Sequence, residues 1–218
     1  MTDPHYDRGY HGTHHRLLIE DDGYFLARAE AALSYFSPEE RERKIFEFGC
    51  GIGQSIALLN DAEGWDISSE AREACHRRGL RVYDDLAAVP RQAYDIVFCR
   101  HVLEHVEEPL SALRTMRELL RPGGFLLLIV PRETHWPSAF TGDINQHLYC
   151  WNFNTINNLL LRAGYQPYHN SYRYPFGWHA LLPIRRRFGR KLTSSVMRLG
   201  AGRRDRTIGA WRMETAPQ

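Results

Sequence analysis

Apolar residues along this chain alternate between helical and strand spacing. Phe25, Ala29, Leu33 and Phe36 recur on one helical face, predicting a helix over 23–36 that Ser37-Pro38 ends. Residues 44–48 read as a strand that enters a glycine loop, and 54–60 as a short helix. A short strand closes over 64–66, a helix follows over 69–78 with Gly79 as its stop, and 80–83 and 94–99 read as strands. Over 109–120 a helix is predicted, with Pro109 in its first turn and Leu110, Leu113, Met116 and Leu120 as its apolar face. Pro122-Gly123-Gly124 turns the chain into the unbroken apolar run 125–130, the pattern of a parallel strand covered on both faces. A last helix reads over 154–163, with Gly164 just past its end.

This alternation implies βαβ units with right-handed crossovers, hence an α/β, doubly wound, mostly parallel sheet. Ligands of such sheets bind beyond the carboxyl ends of the strands. A hydrophobic share of 43% supports a sizeable core and excludes general disorder. The longest apolar run, 125–130, is far below the roughly 18 residues a membrane span needs, and Met1-Thr2-Asp3-Pro4-His5 lacks a secretory pattern. Cys50, Cys75, Cys99 and Cys150 form no C-x-x-C pair and read as reduced thiols, so the expected location is cytoplasmic. The net charge of +2 is unevenly spread. Residues 181–212 carry ten Lys or Arg against Asp205 alone, a local +9 that leaves −7 for the rest.

Chemistry concentrates after the first strand. Gly49, Gly51 and Gly53 let the backbone turn sharply and approach a ligand, and the helix expected next would offer it free N–H groups. The dinucleotide fingerprint calls for a glycine at position 54, where Gln54 stands. Glu47, two places before the first glycine, would repel a pyrophosphate but suits a cationic amine or sulfonium. Asp66, ending the second strand, has the place of an acid that accepts ribose hydroxyls, and Asp84 or Asp85 after the third strand could accept from an adenine amino group.

These stretches together resemble the class I S-adenosylmethionine (SAM)-dependent methyltransferases, particularly the group similar to the ubiquinone-biosynthesis O-methyltransferase. The matching residues are Ile45-Phe46-Glu47-Phe48-Gly49-Cys50-Gly51-Ile52-Gly53, Gly64-Trp65-Asp66-Ile67-Ser68, 94–106 and Leu119-Leu120-Arg121-Pro122-Gly123-Gly124, within roughly 40–131. The resemblance implies a Rossmann-like sheet of seven strands, the last antiparallel and assigned to 207–212. SAM would be the cofactor, with Glu47, Gly49, Cys50, Gly51, Gly53 and Gln54 around its methionine part. Asp66 and Ile67 would hold the ribose, Asp84 and Asp85 the adenine, and Cys99 and Arg100 would line the site, Arg100 through its backbone. In some relatives an acid at position 101, with the residues matching Glu104 and His105, holds a divalent metal. His101 replaces that acid here, and no metal is expected. The implied organisation is a polar N-terminal segment and helix over 1–40 as a lid, then a methyltransferase domain over 41–218.

SAM carries an activated methyl group, so the protein must align the acceptor and take up its proton. His101 and His147 are the candidate catalytic bases, and His105 reads as structural. Asp143, Tyr149 and Trp151 are candidates to shape the acceptor pocket, and Tyr10 with nearby histidines to form the lid. The link over about 176–204, apolar and rich in Arg, suggests docking on an anionic membrane surface to reach a lipid-like acceptor, which would add a peripheral membrane location. A solvated, packed helix is the competing reading of that link, and nucleic acid is disfavoured as a partner because no RNA-reading motif accompanies the charge. The expected function is methyl transfer to a small or lipid-like acceptor, at oxygen. A SAM-binding accessory or nucleic-acid-binding protein without catalysis, or a nicotinamide oxidoreductase, stays open as the alternative.

Overall fold

The computed structural model describes residues 15–131 and 146–173 and the backbone of 208–215. Its helices are α1 (Arg16–Glu20), α2 (Asp22–Ala32), α3 (Ser69–Arg77), α4 (Pro109–Leu119) and α5 (Phe153–Arg162). Its strands are β1 (Ile45–Phe48), β2 (Ala62–Trp65), β3 (Val82–Tyr83), β4 (Tyr94–Arg100), β5 (Leu120–Pro131), β6 (Tyr165–Arg173) and β7 (Ile208–Thr215). One sheet contains them in the order β3-β2-β1-β4-β5-β7-β6. The first five are parallel to their neighbours, and β7 runs antiparallel to both β5 and β6. The sheet is thus mostly parallel and doubly wound, as the alternation of elements predicts.

Local chemistry explains the helix ends. Ser68 accepts from the Ala71 N–H at 3.2 Å and starts α3. Asn152 and Thr155 bond reciprocally and start α5, a capping box. Gly79 and Gly164, at φ of +70° and +87°, follow α3 and α5 in the left-handed conformation that glycine adopts freely.

Strand alternation sorts the core to two faces. Phe46, Phe48, Val97, Cys99, Leu126 and Leu128 pack with Leu113 and Met116 of α4 and with Ile156 and Leu160 of α5. On the opposite face Ile45, Ile96, Phe98, Leu127 and Ile129 pack against Phe36, and the Phe36 and Phe98 rings meet edge-on at 5.1 Å. A third cluster of Leu18, Tyr24, Phe25, Ile52, Ala71 and Ala74 joins the N-terminal helices to α3. The N-terminal helices therefore close over the face that carries Glu47.

Several expectations are corrected. No α-helix forms over 54–60. Ile56 and Ala57 both donate to the Gly53 carbonyl and Leu59 donates to that of Ile56, which makes little more than one turn. The reason is length: β2 opens at Ala62, so a second turn has no room. The strand predicted over 80–83 shrinks to Val82–Tyr83, and β5 starts at Leu120, taking in the Pro-Gly-Gly turn. The last strand lies at Ile208–Thr215 rather than 207–212. Tyr10, His5, His11, His14, Asp143 and the 176–204 insertion fall outside the described residues. Among the described residues no helix is long and apolar enough to cross a membrane.

Leu113 is fully buried between α4 and the sheet. Leu113→Ala should lower unfolding free energy by about 2–5 kcal/mol, read as a lower urea midpoint at unchanged slope.

Candidate functional site

The site is built where β1, β2 and β4 end. Gly49 sits at φ +76°, and a side chain there would run into Val102. Its N–H and that of Cys50 donate to the Trp65 carbonyl, at 2.8 and 3.0 Å, tying the loop to β2. Gly51, at φ +53°, differs: a Cβ added there would meet no protein atom within 4 Å. Packing thus requires the first glycine, while the second leaves open space for a ligand. Asp66 accepts the Gly51 N–H at 2.7 Å through Oδ2 and the Ser68 N–H at 3.0 Å through Oδ1. Its carboxylate holds the loop in shape, and each oxygen retains acceptor capacity for a hydroxyl. The Cys50 and Cys75 thiols both donate to the Gly51 carbonyl, at 3.6 and 3.4 Å. With no helix after the loop, the expected row of free N–H groups is absent, and Gly53 donates to the Cys50 carbonyl instead.

Charge gathers beside this loop. Glu47 is buried on β1 and its Oε2 has no hydrogen-bond partner. Burial pushes its carboxyl up to about 8, against the pull of the Arg100 guanidinium. Gln54 and Ser55 are also buried, Ser55 beside Glu47, whose carboxyl it pulls down, and Gln54 Oε1 and Arg100 Nε have no hydrogen-bond partner. Arg28 of α2, Gln54 and Arg100 line one cavity with Ala31, Ala32 and Tyr35. Burial, then the neighbouring Arg100, lowers the pKa of Arg28, so two guanidiniums converge on this cavity. Buried polar groups left unpaired are costly and are normally satisfied. A ligand carrying both an ammonium and a carboxylate satisfies this set, the ammonium at Glu47 and the carboxylate at Arg28 and Arg100. Sequence reasoning missed Arg28. Its only signal is that it shares α2 with the buried Phe25 and Ala29 yet is itself a charged residue that is not fully exposed.

The other expected cofactor residues separate. Ile67 is half-buried beside Asp66, and the carbonyls of both accept from Arg72 Nη1. Asp84 is turned outward, paired with Arg72 at 3.5 Å and His76 at 3.3 Å. Asp85 caps the turn Leu86–Ala88 by accepting the Ala87 N–H. Cys99 lies in the core on the face away from Glu47, packed with Phe48 and Leu128.

Four polar side chains, His101, Glu104, His105 and His147, meet where β4 ends. His101 holds φ +56°, an uncommon conformation for a residue with a side chain, and its N–H donates to the Ile129 carbonyl at 2.9 Å. Its Nδ1 lies 3.3 Å from Oε1 of the fully buried Glu104. The segment after β5 returns here: Leu148 and Tyr149 donate their N–H groups to the Glu104 carbonyl, at 2.8 and 3.3 Å. This brings the His147 ring to 4.7 Å from that of His105. Sequence reasoning gave His105 and His147 separate roles, because nothing in the spacing shows that loop folding back. Tyr149 and Trp151 stack at 5.3 Å beside them.

Comparison with known proteins points one way. A family model described as a methyltransferase domain matches residues 20–170. The ubiquinone biosynthesis O-methyltransferase of Vibrio vulnificus is 33% identical over 96 residues, which cover 38% of this chain and 41% of that protein. Its counterpart from Proteus mirabilis is 31% identical over 134 residues, 45% of this chain and 55% of that protein. The chain thus spans about half the length of the curated relatives it matches. Among solved structures, a chain from the complex of the Haloferax volcanii Trm112 methyltransferase activator with a methyltransferase aligns over 100% of both chains, with TM-score 0.66 and 16% identity. Haemonchus contortus phosphoethanolamine N-methyltransferase 2 in complex with SAM aligns over 88% of this chain and 53% of that one, with TM-score 0.57 and 17% identity. The [4+2]-cyclase SpnF aligns over 87% and 81%, with TM-score 0.58 and 19% identity. At these identities the structures establish a shared fold.

Glu47 makes the site sensitive to pH. Its carboxyl titrates near 8 when folded against an ordinary 4.5, so the fold binds this proton more tightly than the unfolded chain does. The resulting contribution to stability is fully present below about 4.5 and is lost as pH rises towards 8. Glu47→Gln should therefore raise the melting temperature relative to the parent chain by more at pH 8 than at pH 5, in thermal denaturation without ligand.

Proposed function

Because this chain belongs to the methyltransferase-domain family, we propose that it binds SAM and moves its methyl group to a small or lipid-like acceptor, at oxygen, by in-line displacement. The observation that carries this reading is the buried Glu47 carboxyl, its Oε2 without a hydrogen-bond partner, beside a glycine loop and two converging guanidiniums. That arrangement matches a zwitterionic methionine tail and opposes a diphosphate. Asp66 would hold the ribose while it holds the loop.

Oxygen as the acceptor atom is supported by the partial match to ubiquinone biosynthesis O-methyltransferases. A hydroxyl must lose its proton as the new bond forms, and His101 is the group best placed to take it. With its Nδ1 proton turned to Glu104 Oε1, 3.3 Å away, His101 would offer its other ring nitrogen as the proton acceptor. A lipid-like acceptor is supported by the basic, apolar stretch at 176–204. Methyl transfer itself needs no further protein chemistry beyond alignment and exclusion of water.

Calorimetry with S-adenosylhomocysteine should show binding, and Glu47→Gln or Arg28→Ala should weaken it about 10- to 100-fold, the cost of one charge-assisted contact. No heat with this ligand or with SAM, beside tight binding of a dinucleotide, would overturn the reading. Once an acceptor emerges from a labelled-SAM screen of lipids, phenols, sugars and RNA, His101→Gln should lower kcat by about 10²- to 10⁴-fold and leave S-adenosylhomocysteine affinity within about threefold.

A further inference from the structure

Two thiols that methyl transfer does not employ meet under the glycine loop. Cys50 belongs to the loop and Cys75 to α3, and both are buried. Their sulfurs share one acceptor, the Gly51 carbonyl, at 3.6 and 3.4 Å, and a hydrogen bond joins the two thiols. Each sulfur also rests against a glycine. A Cβ on Gly53 would lie 3.0 Å from Cys75 Sγ, and one on Gly64 would lie 3.0 Å from Cys50 Sγ. The elements that carry the pair are anchored on either side. The Cys50 N–H bonds to the Trp65 carbonyl, and α3 is held by Ala71 and Ala74 packed with Ile52. Between these anchors stands the Gly51 peptide, its N–H on Asp66 and its carbonyl on both thiols.

We propose that Cys50 and Cys75 are a redox pair, closed to a disulfide by hydrogen peroxide, that switches the shape of the glycine loop. One thiol attacks a peroxide oxygen, giving a sulfenic acid and one water. The other thiol then displaces that hydroxyl as a second water and leaves the S–S bond. The two sulfurs give up two electrons and two protons, and the peroxide is reduced to two waters. Two consequences reach the loop. A disulfide holds its sulfurs about 2.05 Å apart, far closer than a hydrogen bond between thiols does. Neither sulfur then carries a hydrogen, so the Gly51 carbonyl loses both donors while Asp66 still holds its N–H. The hydrogen bond with Cys75, then burial, keeps the Cys50 thiol well above its ordinary value, so the bond closes slowly at neutral pH and faster as pH rises. Open space beside Gly51 admits a molecule as small as a peroxide. A cofactor lying on the loop would fill that space, so binding and oxidation oppose each other. That coupling rests on the methyl-transfer reading, whereas the bond itself does not.

Cys150 is exposed and would add links between chains, so the test uses the full chain carrying Cys150→Ser. After hydrogen peroxide the intact mass should fall by about 2 Da, two hydrogens, and non-reducing peptide maps should join Cys50 to Cys75. Amide exchange over residues 49–53 should quicken. S-adenosylhomocysteine affinity should drop about tenfold, the effect of about one lost hydrogen bond, and dithiothreitol should restore it. Saturating S-adenosylhomocysteine should slow closure of the bond. A chain that also carries Cys75→Ala should show one affinity before and after peroxide. Added oxygen without a cross-link, a link through Cys99, or a cross-linked chain that keeps its exchange rate or its S-adenosylhomocysteine affinity would overturn the proposal. A Cys50–Cys75 cross-link with quickened exchange, in a chain that binds no S-adenosylhomocysteine in either state, would uphold the pair and sink the methyl-transfer reading alone.

Discussion

Glu47 must be charged to hold a cationic ligand, yet its burial favours the neutral form. The strand it sits on allows no escape from this conflict, because alternation points it into the face that α2 and Phe36 cover. Arg100 partly offsets the cost from the end of the neighbouring strand. The glycine loop, the Asp66 clamp and the two guanidiniums gather beside that carboxyl, a setting that opposes a diphosphate and suits a ligand charged at both ends.

Much of this was legible in the chain. Strand β1 and the glycines announced themselves because a close backbone approach permits few residue types, and Asp66 because a strand end fixes its place. Helix α4 was readable from Pro109 and from four apolar residues at regular intervals. The failures have equally physical causes. The helix after the loop has adequate propensity but insufficient length before Ala62. Strand β6, Tyr165–Arg173, mixes Gln, His, Asn and Tyr with little alternation, so periodicity did not reveal it. Arg28 and the meeting of His105 with His147 depend on long-range folding, about which local spacing is silent.

The fold by itself leaves the reaction open. A [4+2]-cyclase and an N-methyltransferase share it with this chain at similar TM-scores. Function is carried by side chains at the strand ends. In this chain those residues divide into two groups on either side of the glycine loop. The first gathers Glu47, Arg28 and Arg100, and the second gathers His101, His105 and His147 around Glu104.

Arg28 ties α2 to the charge beside the glycine loop. Its guanidinium is poorly hydrated and lies near the like charge of Arg100, so α2 is held down by Phe25 and the alanines against an electrostatic push outward. A negative group entering the cavity would cancel that push. Docking of α2 and the charge gathered at this cavity are therefore two readings of one equilibrium.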